Sequence, residues 1–309
     1  MSETTEITEI AETKNKRNTP KEGKIVYADG TEQVIEYGTV RVSPKFEKDK
    51  TKVVSVILPE SVAVIESETG TIGIYHNTYT IGAFEGCSAL ESVTIPESVV
   101  EMGDRAFYNC SLLPEIDLPE SIVKIGNDAF SSCTSLESIT LPEGVVEIGS
   151  RAFSSCNMLR RADVPGSAER ISSYMFENCI SLKTVNIGEG VTSIDEYAFR
   201  GCMSLRSVNV PGSVTKICNN VFENCKTLKT VHIANGTKEI GEGAFLSCSS
   251  LESIYIPSSV KKIHQNAFYG CTSLKEIHYG GSAIARMFLT VFERGNEAFK
   301  KAKTHYNSK

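Results

Sequence analysis

Ten cysteines and five histidines are the side chains in this 309-residue sequence best suited to hold a metal or act as nucleophiles. Their spacing argues against both. Nine of the cysteines (Cys87, Cys110, Cys133, Cys156, Cys179, Cys202, Cys225, Cys248 and Cys271) recur every 23 residues. Structural zinc wants paired ligands such as Cys-x2-Cys, and no such pair occurs. Cysteines at one repeat position stack about 4.8 Å apart with their side chains parallel. A disulfide needs a dihedral near 90°, so free thiols acting as small buried apolar groups are favoured over bridges. Cys218 stands off the ladder, at a position that is Gly103, Gly126, Gly149 and Gly241 elsewhere. A packing role is favoured for it over a reactive one.

The histidines (His76, His232, His264, His278, His305) have no Cys, Asp or Glu at a motif spacing. His232 and His278 hold equivalent positions two repeats apart, with Tyr255 between them. They read as surface residues. The sequence contains no Gly-x-Ser-x-Gly, no phosphate loop and no His-Glu-x-x-His. Gly-Glu-Gly at 188–190 and at 241–243 is repeat punctuation. No catalytic residue, cofactor or metal is expected.

What positions these residues is the repeat itself. Phenylalanine keeps the same 23-residue step at Phe84, Phe107, Phe130, Phe153, Phe176, Phe199, Phe222, Phe245 and Phe268, and leucine keeps it from Leu90 to Leu274. A fixed period of this length means stacked coils. In the copy beginning Ala129-Phe130, the stretch Leu136-x-x-Ile139-x-Leu141 alternates as a short strand does. Ile139 and Leu141 point inward, Ser138 and Thr140 outward. Pro142 ends the ladder, Val145 and Ile148 supply a second inward pair, and a glycine at 149 permits the turn back. Some copies vary: Met175 and Val221 replace the alanine, and Gly188 and Ala234 replace the proline.

The chain divides accordingly. Residues 1–22 are polar and read as disordered. Residues 23–83 form an N-terminal cap, with a hairpin turning at Asp29-Gly30 and an irregular first repeat. An insertion falls near Glu66 to Thr80. Residues 84–279 are the regular repeats, and 280–309 the C-terminal cap. In that cap Ala283, Met287, Phe288 and Val291 have helical spacing, with Ser282 as N-cap and Gly295 as stop. A second short helix is expected over Glu297 to Lys303, then a closing strand at Thr304-His305-Tyr306.

Hydrophobic residues are 40% of the chain, and the net charge is −6. An acidic chain lacks the basic face that nucleic acid needs. No run approaches the roughly 20 apolar residues of a membrane span. Met1 to Pro20 lack the apolar centre of a secretory signal, so sequence leaves the compartment open.

The outward strand positions are where a partner would be met. They are small and polar, except Arg161, His232, Tyr255 and His278. The neighbouring column is acidic early (Glu91, Glu137) and basic later (Arg160, Lys183, Arg206, Lys229, Lys275). Such a gradient suits an acidic partner at the C-terminal half. Solubility and protection of the sheet from edge pairing explain the same charges, and that reading is favoured. Tyr255, flanked by histidines, is the single residue most like an interface hot spot.

The run Ile95-Pro96, Val99, Gly103, Ala106-Phe107, Cys110 and Leu113, repeated nine times, resembles the BspA-like leucine-rich repeat family. The likeness covers residues 54–309. The ending His278-Tyr279-Gly280-Gly281, Gly295-Asn296-Glu297-Ala298 and His305-Tyr306 is also similar to bacterial members, with Phe288 where Trp is common. The resemblance implies a repeat solenoid, leucine-rich-repeat-like and mainly β, with parallel strands and short turns, wound as a curved right-handed coil and capped at both ends. It also implies adhesion or protein binding at a cell surface. Three readings follow: a module binding a protein ligand, a structural spacer without ligand, and, least favoured, an enzyme or carbohydrate-binding protein.

Overall fold

The computed structural model describes residues 22–36, 41–42, 46, 48–72, 77–281, 290–291 and 294–306. They form a β-solenoid of about ten turns with parallel strands. All but one of the regular coils contribute one rung to a strand face and one to a second, narrower sheet. On the strand face Ser138–Thr140 pairs with Arg161–Val164, and that with Thr184–Ile187. Ser207–Val210, Thr230–Ile233, Ser253–Ile256, Glu276–Tyr279 and Lys303–Tyr306 form the next sheet, all parallel and all in register. The second sheet holds two-residue rungs such as Lys216–Ile217 and Glu239–Ile240. A third line of bonds runs through the Ala-Phe turn, where the Phe107 amide donates to the Ala129 carbonyl at 2.7 Å and Phe130 to Ala152 at 2.8 Å.

The interior is the stacked columns. All nine repeat phenylalanines are fully buried. Consecutive rings lie 5.2–5.6 Å apart and close to parallel. Each ring removes about 150 Å² or more from water, worth about 4 kcal/mol. Phe299 closes the column at one end, 4.8 Å from Phe268, and Phe46 meets Phe84 edge-on at the other. Neither falls on the 23-residue step. Phe299 sits on the one α-helix among the described residues, Glu297–Lys301. Beside it the buried Asn296 accepts from the Phe268 amide and donates to the His264 carbonyl, supplying the bonds another coil would have made.

The cysteines stack as the period requires and all ten are free. They are more than apolar filler. Eight of the nine donate Sγ–H to the phenylalanine carbonyl of the preceding coil, at 3.1–3.3 Å. The same oxygen also accepts from the cysteine amide of its own coil; a valine could fill the volume but not make the second bond.

Three readings of the sequence change. The glycines after the isoleucine are not there for a left-handed turn: Gly126 and Gly149 lack positive φ, and the left-handed residues come later, at Asp128 and Arg151. Glycine is needed because the coils touch; a Cβ on Gly126 would lie 2.4 Å from the Asp104 amide nitrogen. The coil carrying Glu115 and Asp117, outward positions of the strand face by the repeat, gives that face no strand and keeps only its second-sheet rung, Lys124–Ile125. Its Pro114 has no N–H to give where Glu91, Glu137 and Arg160 each donate to the previous coil. Val291 lies in a strand, Thr290–Val291, pairing with Lys262–Ile263, because the second sheet takes one further rung there. The rest of that proposed helix, Ser282 to Phe288, lies outside the described residues. So do His76 and the segment proposed as disordered, apart from Glu22.

At the N-terminal end Gly23–Tyr27 pairs antiparallel with Glu32–Ile35 and with the first repeat strand, Val53–Ile57. The insertion is itself a hairpin, Ser67–Ile72 against Asn77–Gly82.

Burial pushes the thiols of Cys133, Cys179 and Cys225 up to about 12. Cys218 is half-buried, and burial raises it to about 11. Alkylation at pH 8 is therefore expected to modify at most Cys218 in the folded protein and all ten thiols after denaturation. Rapid labelling of several thiols without denaturant would show that the ladder is open.

Candidate partner-binding surface

The strand face is built by period-two alternation. Val185, Val208 and Val231 turn inward and are buried, which forces Thr184, Asn186, Ser207, Asn209, Thr230 and His232 outward. The column one residue before each strand is held by backbone bonds: the Lys183 amide donates to the Arg160 carbonyl at 2.9 Å, and Lys229 to Arg206 at 2.8 Å. Arg160, Lys183, Arg206 and Lys229 thus project from four successive coils, and all are exposed.

Their electrostatics differ. Arg160 lies 3.5 Å from Glu137, and Lys229 lies 3.5 Å from Glu252. Arg161 is held by Asp163 of its own strand, with two hydrogen bonds. Lys183 and Arg206 have no ion-pair partner among the described residues. The expected basic column is shorter than it looked. Glu252 lies within it, between Lys229 and Lys275, its amide bonded to the Lys229 carbonyl. That residue was legible in the sequence.

The hydrogen-bonded strand face is discontinuous between Thr184–Ile187 and Ser207–Val210, which belong to different sheets. Lys183 and Arg206 flank this seam.

The aromatic and imidazole candidates come together. His232 stacks on Tyr255 with centroids 4.6 Å apart. Tyr255 is only half exposed; its hydroxyl packs over Gly280, where a Cβ would meet it at 2.5 Å. It forms a wall more than a free anchor. His278 stacks on His305 at 5.0 Å, and both lie within 4 Å of the Glu276 carboxylate. His264 belongs to the second sheet, against Glu239. Among the described residues no group of three His, Cys, Asp or Glu is arranged for a metal. No helix among them is long and apolar enough to cross a membrane.

One surface escaped the sequence reading. On the turn edge the Arg151 guanidinium sits 4.4 Å over Tyr174, Tyr174 stacks on Tyr197 at 4.8 Å, and Arg200 approaches Tyr197 at 5.5 Å. Arg151, Tyr174 and Tyr197 have φ near +60°, where Asn or Gly costs less. Their position in the repeat, matching Asn220, Gly243 and Asn266, was the available signal.

A stack of parallel two-sheet coils around leucine, phenylalanine and cysteine columns, with a polar strand face, is a leucine-rich-repeat solenoid. The chain belongs to the BspA type leucine-rich repeat region family, which matches it in six copies over residues 77–206 and 192–298. It is similar to a solved leucine-rich repeat protein from Bacteroides ovatus (24% identity, 92% of this chain and 98% of that one, TM-score 0.42). It is also similar to a leucine rich cell surface protein from Faecalibacterium prausnitzii (24%, 87% and 96%, TM-score 0.39). A third is the leucine-rich repeat protein of T. pallidum (28%, 55% and 85%, TM-score 0.45). None of the curated proteins matches the chain.

Proposed function

We propose that the protein is a non-catalytic interaction module that presents its strand face to another protein. One observation carries this reading. The face displays two adjacent cations without an ion-pair partner among the described residues, Lys183 and Arg206, over a floor of small polar groups, whereas two other columns alternate charge up the stack. Glu177, Arg200 and Glu223 alternate at 3.3 and 3.5 Å, and Lys216, Glu239 and Lys262 at 4.0 and 3.7 Å. A spacer gains nothing from leaving Lys183 and Arg206 uncompensated. Arg160, Arg161, Lys229, His232, Tyr255 and His278 form the surroundings of the contact. Adhesion at a cell surface is one setting for such a module.

A photo-crosslinking residue at Asn209 on this face, and in parallel at Thr192 on the second sheet, tests the reading in cells of the source. Adducts to a discrete protein from position 209 and not from 192 are expected. No discrete adduct from either would favour the spacer, and adducts from 192 alone would move the site to the second sheet.

A further inference from the structure

The two free cations are set within a bounded patch. Along one side run Arg160, Lys183, Arg206 and Lys229, four charges over about 14 Å at the spacing of parallel rungs. The floor is Thr184, Asn186, Ser207 and Asn209, hydroxyls and amides able to bond an extended backbone. The stacked His232–Tyr255 pair closes one end, and the Arg161–Asp163 pair the other.

Beyond Arg160 the sign reverses, with Glu91 and Glu137 in the same column, both exposed. A long polyanion laid along the solenoid would leave the cations within four coils and meet these carboxylates. A short acidic stretch would not. Length therefore selects a peptide over nucleic acid or a sulfated polysaccharide, whose charge is continuous.

We propose that Lys183 and Arg206, on either side of the seam in the strand face, centre a docking site for a short, extended acidic segment of a partner protein. This deepens the interaction-module reading and rests on it. The segment's carboxylates would supply the counter-charges the column lacks, and the acidic N-terminal half would fix where it stops.

The test uses the full chain and a fluorescein-labelled short peptide bearing a run of glutamates, with its glutamine counterpart as control. Binding by anisotropy at low salt is expected for the glutamate peptide only. Lys183→Glu with Arg206→Glu should weaken it by about tenfold or more, since two attractions become two repulsions. Lys238→Glu with Lys261→Glu makes the same change of net charge on the second sheet and should leave binding within about twofold. Equal losses in the two variants, or no loss in the first, would overturn the proposal. So would heparin or single-stranded DNA binding more tightly than the peptide through the same lysine and arginine. If position 209 crosslinks to a partner but the glutamate peptide does not bind, the interaction module stands and its acidic ligand is wrong.

Discussion

Between pH 9 and 11 the solenoid is expected to unfold in a single steep alkaline transition driven by its cysteine ladder. Burial raises all nine ladder thiols above the ordinary value of 9.0, to about 12 for Cys87, Cys133, Cys179, Cys225 and Cys271. Cys110, Cys156, Cys202 and Cys248 move in the same direction. Because the folded value is the higher one, the thiols' contribution is complete below pH 9 and is lost as pH rises toward 12. One pH unit above 9 favours the unfolded chain by about 1.4 kcal/mol per thiol. For the nine together that is about 12 kcal/mol, comparable with the whole stability of a typical domain, about 5–15 kcal/mol. Surface ion pairs lost over the same range count for far less. Circular dichroism and thiolate absorbance should therefore change together, with a midpoint near pH 10. Replacing Cys156, Cys179 and Cys202 by alanine should lower stability at pH 7 yet flatten its fall above pH 9. Thiolate growing in gradually while the dichroism stays intact would contradict a sealed ladder.

Phe199→Ala is expected to cost about 3–5 kcal/mol, the upper range for a buried aromatic. Phe199 is fully buried mid-column, 5.5 Å from the rings of both Phe176 and Phe222. Second-sheet pairing and the bonds through the Ala-Phe turn fix the coils on both sides of Phe199, so they collapse poorly into the void. Denaturant melts measure this directly, and the transition should also broaden, because a solenoid weakened at one interface begins to melt as two blocks. A loss under about 1 kcal/mol would mean the column does not carry the interior. Tyr269→Ala, at a ring 58% exposed, is the matched control and should stay within about 0.5 kcal/mol.

Most of the fold could be read before any coordinates because the period is strict. Once Phe, Cys and Leu each return every 23 residues, their columns, the parallel register and the outward polar positions all follow from stacking. The N-terminal hairpin was legible through Asp29-Gly30, and the closing strand through its alternation. Features that break the period were not. Phe46 and Phe299 extend the aromatic column from outside the repeat, and Asn296 stands in for a missing coil through its side chain alone. Pro114 removes a rung because its effect depends on which neighbour needed the missing N–H. The basic column was visible as five residues, Arg160, Lys183, Arg206, Lys229 and Lys275. Which of them are compensated became clear only when Glu137 and Glu252 were seen beside Arg160 and Lys229.

Sequence alone determined that this chain stacks, and which side chains face in or out, since a repeated pattern of burial admits one register. Tertiary structure decided which surface charges are compensated, where the strand face opens into a seam, and why thiols fill the ladder. Those depend on contacts between coils, a few ångströms long, that residue types and spacing along one coil do not encode.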